Sequence, residues 1–110
     1  MKKFLIFNSI LSFCNFFNIF YASAANLEKG KEIFINNCIA CHSQGINIIL
    51  PEKNLKIEAL KANGMNNVES ISYQIRNGKN GMPAFGGRLN EMEIENLAFY
   101  VLEASQNNFK

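Results

Sequence analysis

An all-α fold of about four short helices is what this 110-residue sequence predicts, and three observations predict it. Asparagines stand where helices would begin, each able to accept a bond from a free first-turn N–H. The C-terminal stretch repeats its apolar residues at helical spacing. No run alternates convincingly as a strand. The length suits one domain, and neither a repeat nor a low-complexity segment interrupts it.

The first 24 residues read as a leader rather than as part of that domain. Lys2 and Lys3 give a basic start, Phe4 to Tyr21 is an apolar run, and Ala22-Ser23-Ala24 offers small residues at a signal-peptidase spacing. The predicted cut follows Ala24, leaving a domain over residues 25–110. The rival reading is an uncleaved anchor, since the run is nearly long enough to span a membrane. Asn8, Asn15 and Asn18 interrupt it, however. On the cleaved reading there is no stable membrane insertion after the leader is removed. Cys14 leaves with the leader, and Phe13 before it is too large for a lipoprotein acceptor site. The formal net charge of +2 is too small to point to nucleic acid. Without Lys2 and Lys3, 9 basic residues face 9 acidic ones, so the domain is neutral.

Within the domain the first helix opens at Asn26 and runs from Leu27 to about Asn37, with Leu27, Gly30 and Phe34 on one face. The second is expected from Leu55 to Ala62, with Asn54 as its cap and Gly64 as its stop. The third follows Asn67, over Val68 to Asn77. Val68, Ile71 and Ile75 form its stripe, and Gly78 suits the left-handed position after it. The last follows Asn90. Glu91, Glu93 and Glu95 place negative charge near its positive end, and Ile94, Leu97, Ala98, Val101 and Leu102 make a stripe that should be buried. Between helices, Ser43 to Lys53 and Lys79 to Leu89 are irregular. Such long loops need an organiser in so small a domain, and so small a chain has little apolar core. A large apolar cofactor would answer both needs.

Cys38-Ile39-Ala40-Cys41-His42 is the C-x-x-C-H pattern of covalent haem attachment. Residues three apart share one side of a helical turn, so both thiols can meet the vinyl groups along one haem edge. His42, the chain's one histidine, follows at once and can reach the iron. A thioredoxin-like pair would want a βαβ context, and a structural zinc site four ligands. The opposite axial ligand is then sought among methionines. Met92 sits in the first turn of the last helix, Met65 near a helix end. Met82 lies in Gly81-Met82-Pro83-Ala84-Phe85, 40 residues after His42, and Pro83 holds Met82 extended. Met82 is the favoured ligand. A His/Met pair favours Fe(II), closes both axial positions, and argues for electron transfer rather than catalysis. The chain is therefore expected to be no enzyme but a single-electron carrier.

The haem motif, Pro51-Glu52-Lys53-Asn54-Leu55, the run from Tyr73 to Phe85, and Gly87-Arg88-Leu89 together resemble the cytochrome c6 (cytochrome c-553) family, across essentially residues 25–110. The resemblance implies a small single-haem class I cytochrome c fold, its helices packed around one covalently attached haem c. It implies thioether attachment at Cys38 and Cys41 and axial ligation by His42 and Met82. It further implies a haem-tuning role for Gln74 and docking to a partner by Arg88; from spacing alone Gln74 reads equally as a helix-surface residue and Arg88 as a solvated loop charge. Family members are soluble carriers of photosynthetic electrons from the cytochrome b6f complex to photosystem I, in the thylakoid lumen of algal plastids or cyanobacteria. A monomer in an algal plastid is the expectation, and the abundance of Asn, Ile, Lys and Phe would suit a plastid gene. Other readings are a bacterial carrier feeding a terminal oxidase, a haem peroxidase or sensor with a displaceable sixth ligand, and a haem-free thiol-disulfide protein.

Overall fold

The computed structural model describes residues 25–110; the leader and Cys14 lie outside the described residues. Among the described residues five α-helices form: α1 (Leu27–Asn37), α2 (Ile39–His42), α3 (Ile57–Ala62), α4 (Val68–Asn77) and α5 (Glu91–Gln106). No strand occurs among the described residues. Short 3-10 turns at Ser43–Gly45 and Pro51–Lys53 punctuate the long connection from α2 to α3.

Three of the four asparagine starts act as the sequence suggests. The Asn26 side chain accepts from Lys29 N–H (3.0 Å) and Asn67 from Ser70 N–H (2.8 Å). Asn90 forms a full capping box: it accepts from Glu93 N–H (2.8 Å) while the Glu93 carboxylate accepts from Asn90 N–H (2.9 Å). Asn54 does something else. Its carbonyl accepts from Lys56 N–H at 2.9 Å and its amide donates to the Pro51 carbonyl at 3.0 Å. Lys56 is extended, and α3 begins only at Ile57, two residues later than the expected Leu55. The local Asx turn competed with the helix for the same backbone donors. α3 closes in a Schellman motif with Gly64 at C′, where Met65 N–H reaches the Leu60 carbonyl at 2.7 Å and Gly64 N–H the Lys61 carbonyl at 3.3 Å.

α1 and α5 pack so closely that Gly30 leaves no room for a side chain. A Cβ there would lie 2.2 Å from the Asn96 carbonyl oxygen and 2.8 Å from Tyr100 Cβ. The contact is pinned at its edge by Asn26 N–H, which donates to the Asn96 side chain at 3.0 Å. Phe34, one turn further on, is buried and its ring meets Tyr100 with centroids 5.4 Å apart. Leu27 is exposed, so the buried face of α1 begins at Gly30.

The core is one-sided. Ile94, Leu97, Ala98 and Val101 of α5 are buried, as their spacing predicts, joined by Leu60 of α3, Ile71 and Ile75 of α4, and Phe85 from the loop before α5. Val68 and Leu102 sit at its edge, partly buried. α4 and α5 are clamped by an ion pair in which Arg76 Nε donates to Glu91 at 2.9 and 3.2 Å and an Arg76 terminal nitrogen reaches it at 2.9 Å. Being exposed, the pair contributes little energy, but it fixes where the loop between them must start and end. No helix among the described residues is long and apolar enough to cross a membrane.

Gly30→Ala should force α1 and α5 apart, because the obstacle is backbone. The expected cost is about 2 kcal/mol, read as a fall in Tm of roughly 10 °C by thermal melting.

Candidate haem cleft

One wall of the cleft begins where α1 stops. Cys38 leaves helical continuity, yet its N–H still bonds the Phe34 carbonyl (2.8 Å), and His42 N–H bonds the Cys38 carbonyl (2.9 Å). Cys38, which caps α2, and Cys41 and His42 in its single turn therefore stand close together, and all three line the same cleft. The thiol of Cys38 is pushed up to about 11, chiefly by burial and further by neighbouring Cys41. Pairs that exchange disulfides need the opposite, a thiol shifted down, so this setting weighs against the thiol-disulfide reading.

His42 is nearly buried, at 9% exposure. Its Nδ1 lies 2.8 Å from the Ile46 carbonyl. A carbonyl only accepts, so Nδ1 carries the proton and Nε2 keeps its lone pair for a metal. The sequence gives no sign that Ile46 has this role, since any residue's carbonyl would serve.

The loop that holds Ile46 in place is braced by amides rather than by a backbone ladder. Asn47 accepts from Ile49 N–H (3.0 Å) and Leu50 N–H (2.9 Å) and donates to the Lys53 carbonyl (3.0 Å). Asn63, beyond α3, donates to the Ala59 carbonyl (2.8 Å) and across to the Glu52 carbonyl (3.4 Å). Asn47, Asn54 and Asn63 all line the cleft.

The opposite wall comes from α4 and the segment after it. Gly78 ends α4 at φ 69, ψ 171, a conformation glycine adopts freely. A Cβ there would fall 2.5 Å from the Met82 carbonyl, so the chain can fold straight back on itself. Lys79 and Met82 exchange N–H to carbonyl bonds of 3.1 and 3.0 Å around a tight turn with Asn80 (φ 50) and Gly81 (φ 91) at its centre. What looked irregular in sequence is thus a hairpin-like turn. Phe85 N–H and Gly86 N–H return to the Ile75 and Arg76 carbonyls at 2.9 and 3.1 Å, which ties the turn to the end of α4.

Met82 and Met65 both line the cleft, whereas Met92 is 73% exposed and stands outside it. Met82 differs from Met65 in having a dedicated partner: the Gln74 side-chain amide donates to its sulfur at 3.6 Å. Gln74 is half-buried on the cleft side of α4, not a free surface polar group. Arg88 is not part of the cleft. It lies exposed with its guanidinium 4.4 Å from the centroid of the Phe85 ring, a cation–π contact that holds the charge at the surface.

The residues fit a covalent haem. The cleft is open at its mouth, and apolar side chains of Phe34, Leu60, Ile71, Ile75 and Phe85 form its floor. Two thiols, one imidazole with a free Nε2, and a thioether converge on it from two sides. Among the described residues no three His, Cys, Asp or Glu side chains come together as a bare metal site would need.

Comparison with known proteins agrees with this chemistry. Residues 25–101 match the family model described as cytochrome C oxidase, cbb3-type, subunit III. Cytochrome c6 of Bumilleriopsis filiformis is 56% identical over 85 residues, covering 77% of this chain and 99% of the relative. Cytochrome c6 of Porphyra purpurea is 47% identical over 110 residues, covering 99% of this chain and all of the relative. The crystal structure of cytochrome c6 from the diatom Phaeodactylum tricornutum superimposes with a TM-score of 0.74 at 46% identity, covering 76% of this chain and 99% of that one.

Proposed function

The chain belongs to the cytochrome c6 family, and from that premise we propose that it carries single electrons from the cytochrome b6f complex to photosystem I. A haem-bearing electron carrier on a small class I cytochrome c fold follows from the membership itself. The finer reading is ours: one haem c, joined through Cys38 and Cys41, with His42 and Met82 as axial ligands, in a monomer working in the thylakoid lumen after removal of residues 1–24. Support for the lumen lies in the relatives, which come from algae and cyanobacteria. Support for the leader lies in length, since 85 matched residues span 99% of the Bumilleriopsis relative and 86 follow Ala24 here.

The observation that carries the reading is the convergence of Cys38, Cys41, His42 and Met82 on one apolar cleft. When bound there, haem supplies a one-electron iron couple. The chain's own residues set how that couple behaves. His42, its Nδ1 proton held by the Ile46 carbonyl, offers a more basic Nε2. Met82 offers a soft thioether, which favours reduced iron. The Gln74 amide places a positive dipole on that sulfur and favours the reduced state further. Lys79–Met82 and the loop to Phe85 are tied at both ends, so Met82 keeps its place in both oxidation states. Arg88, fixed on Phe85 at the surface, is suited to meeting an acidic partner, and the resemblance makes photosystem I that partner. A small surface of this kind gives brief docking, which a carrier requires.

A second reading, delivery of electrons to a terminal oxidase, is favoured by the family model, whose description names an oxidase subunit. The two readings part on the acceptor alone. With the purified protein, reduction of flash-oxidised photosystem I should proceed at rates that fall with added salt; an inert response there, with fast turnover of a terminal oxidase, would select the second.

Ligation is tested by the oxidised spectrum. The native protein should show the weak far-red sulfur-to-iron band and fail to bind carbon monoxide when reduced. Met82→Ala should lose the band and gain carbon monoxide binding; a native protein that binds the gas readily would instead mark an enzyme or sensor. Gln74→Val should lower the reduction potential by roughly 40 mV, the equivalent of about 1 kcal/mol of lost hydrogen bonding for one electron, as measured by redox titration.

A further inference from the structure

Phe109 holds a backbone conformation that a phenylalanine rarely adopts. Its φ is 59°, directly after Asn108 at 57°, in the left-handed region that costs an ordinary residue on the order of 1–2 kcal/mol. The last turn of α5 compels part of this. Phe109 N–H reaches back to the Ala104 carbonyl at 2.8 Å and Asn108 N–H to Ser105 at 3.3 Å, the two bonds of a Schellman closure. The motif asks for one left-handed residue, Asn108. The second, at Phe109, turns the ring inward.

One side of that ring meets Phe34 (centroids 5.7 Å apart) and the edge of Tyr100 (6.4 Å). It also lies against the α-carbon of Gly45: a Cβ on Gly45 would come within 2.6 Å of Phe109 Cδ2 and 3.1 Å of Cε2 and Cγ. Gly45 is buried, and its carbonyl accepts from Leu55 N–H at 2.7 Å. It is thus held by a ring on one side and by a hydrogen bond on another. The next residue is Ile46, whose carbonyl receives the His42 Nδ1 proton. Ile46 is itself exposed, so its side chain does little to hold that carbonyl in place. Phe109 does not line the cleft; it touches both Phe34, which does, and Gly45, and of these two contacts only the one at Gly45 leads along the chain to the Ile46 carbonyl.

We propose that Phe109 is a positioning residue for His42. By fixing Gly45 it fixes the Ile46 carbonyl in line with Nδ1, and so the C-terminus of the chain governs the basicity of the proximal imidazole. The proposal rests on the reading of His42 as an iron ligand.

The test uses the haem-loaded oxidised protein and follows the paramagnetically shifted His42 Nδ1–H resonance as it exchanges into heavy water. Phe109→Ala and Phe109→Leu should each speed that exchange by about fivefold or more, the equivalent of one net hydrogen bond loosened, and should shift the reduction potential. Phe109→Tyr, which keeps the flat ring, should restore both. Leu102→Ala, at the partly buried edge of the core and not among the atoms nearest Gly45, should lower Tm while leaving exchange and potential as they were. The proposal is overturned if the Phe109 variants lower Tm alone, or if Leu102→Ala speeds the exchange equally. Should Phe109→Ala fail to assemble, Phe109→Leu decides by the same criterion. Absence of the shifted resonance in the unaltered protein is a different failure, that of His42 ligation itself.

Discussion

At Gly30 the backbones of α1 and α5 approach more closely than any side chain would permit, and Cys38 lies two turns further along the same direction. The distance between these two helices therefore decides where the thiols stand relative to Leu97 and Val101 of α5, which line the cleft from behind. Phe34 carries the constraint from one to the other, packing on Tyr100 and accepting through its carbonyl the N–H of Cys38. A domain with so few buried residues has no second layer to correct an error at this contact. A chain of this size buries little of its own surface, and a cofactor filling the cleft would complete the core as well as the site.

The two walls are built on opposite principles. On the His42 side the loop is long, and its order comes from asparagine amides that stand in for a backbone ladder. On the Met82 side the chain is short and reverses through positive-φ residues, then returns to α4 by ordinary backbone bonds. The polar contacts to the proposed ligands are opposite too. His42 gives a proton to a carbonyl, which enriches its ring; Met82 receives one from an amide, which depletes its sulfur. On the proposed ligation, one ligand would be enriched and the other depleted, each by a hydrogen bond with a group that is not itself a ligand.

Much of this was legible in the order of residues. The Cys38–His42 motif, the stripe of α5 and the Asn26, Asn67 and Asn90 caps depend on neighbours within one or two turns, and such signals survive in sequence. The place of Met82 on the cleft was legible because Pro83 and Gly81 bracket it. What escaped had its cause in backbone groups or in contacts far along the chain. Asn54 reads as a helix cap until its side-chain oxygen is seen to accept from Lys56 N–H in a local Asx turn instead. The turn at Lys79–Met82 reads as irregular until Gly78 is seen to permit a contact with the Met82 carbonyl. Ile46 matters through a carbonyl that every residue possesses, and Phe109 through a glycine 64 residues away. Backbone groups and distant contacts leave no mark on composition or periodicity.

The asparagine bracing has a consequence for how the molecule ages. Asn63 is followed by glycine, the neighbour that least obstructs attack of the next backbone nitrogen on a side-chain amide, and asparagine is among the thermolabile residues. Slow loss of ammonia there would replace a donor with a carboxylate facing the Glu52 and Ala59 carbonyls, acceptor against acceptor. The loop that frames one wall of the cleft would then lose the tie that holds it to the end of α3.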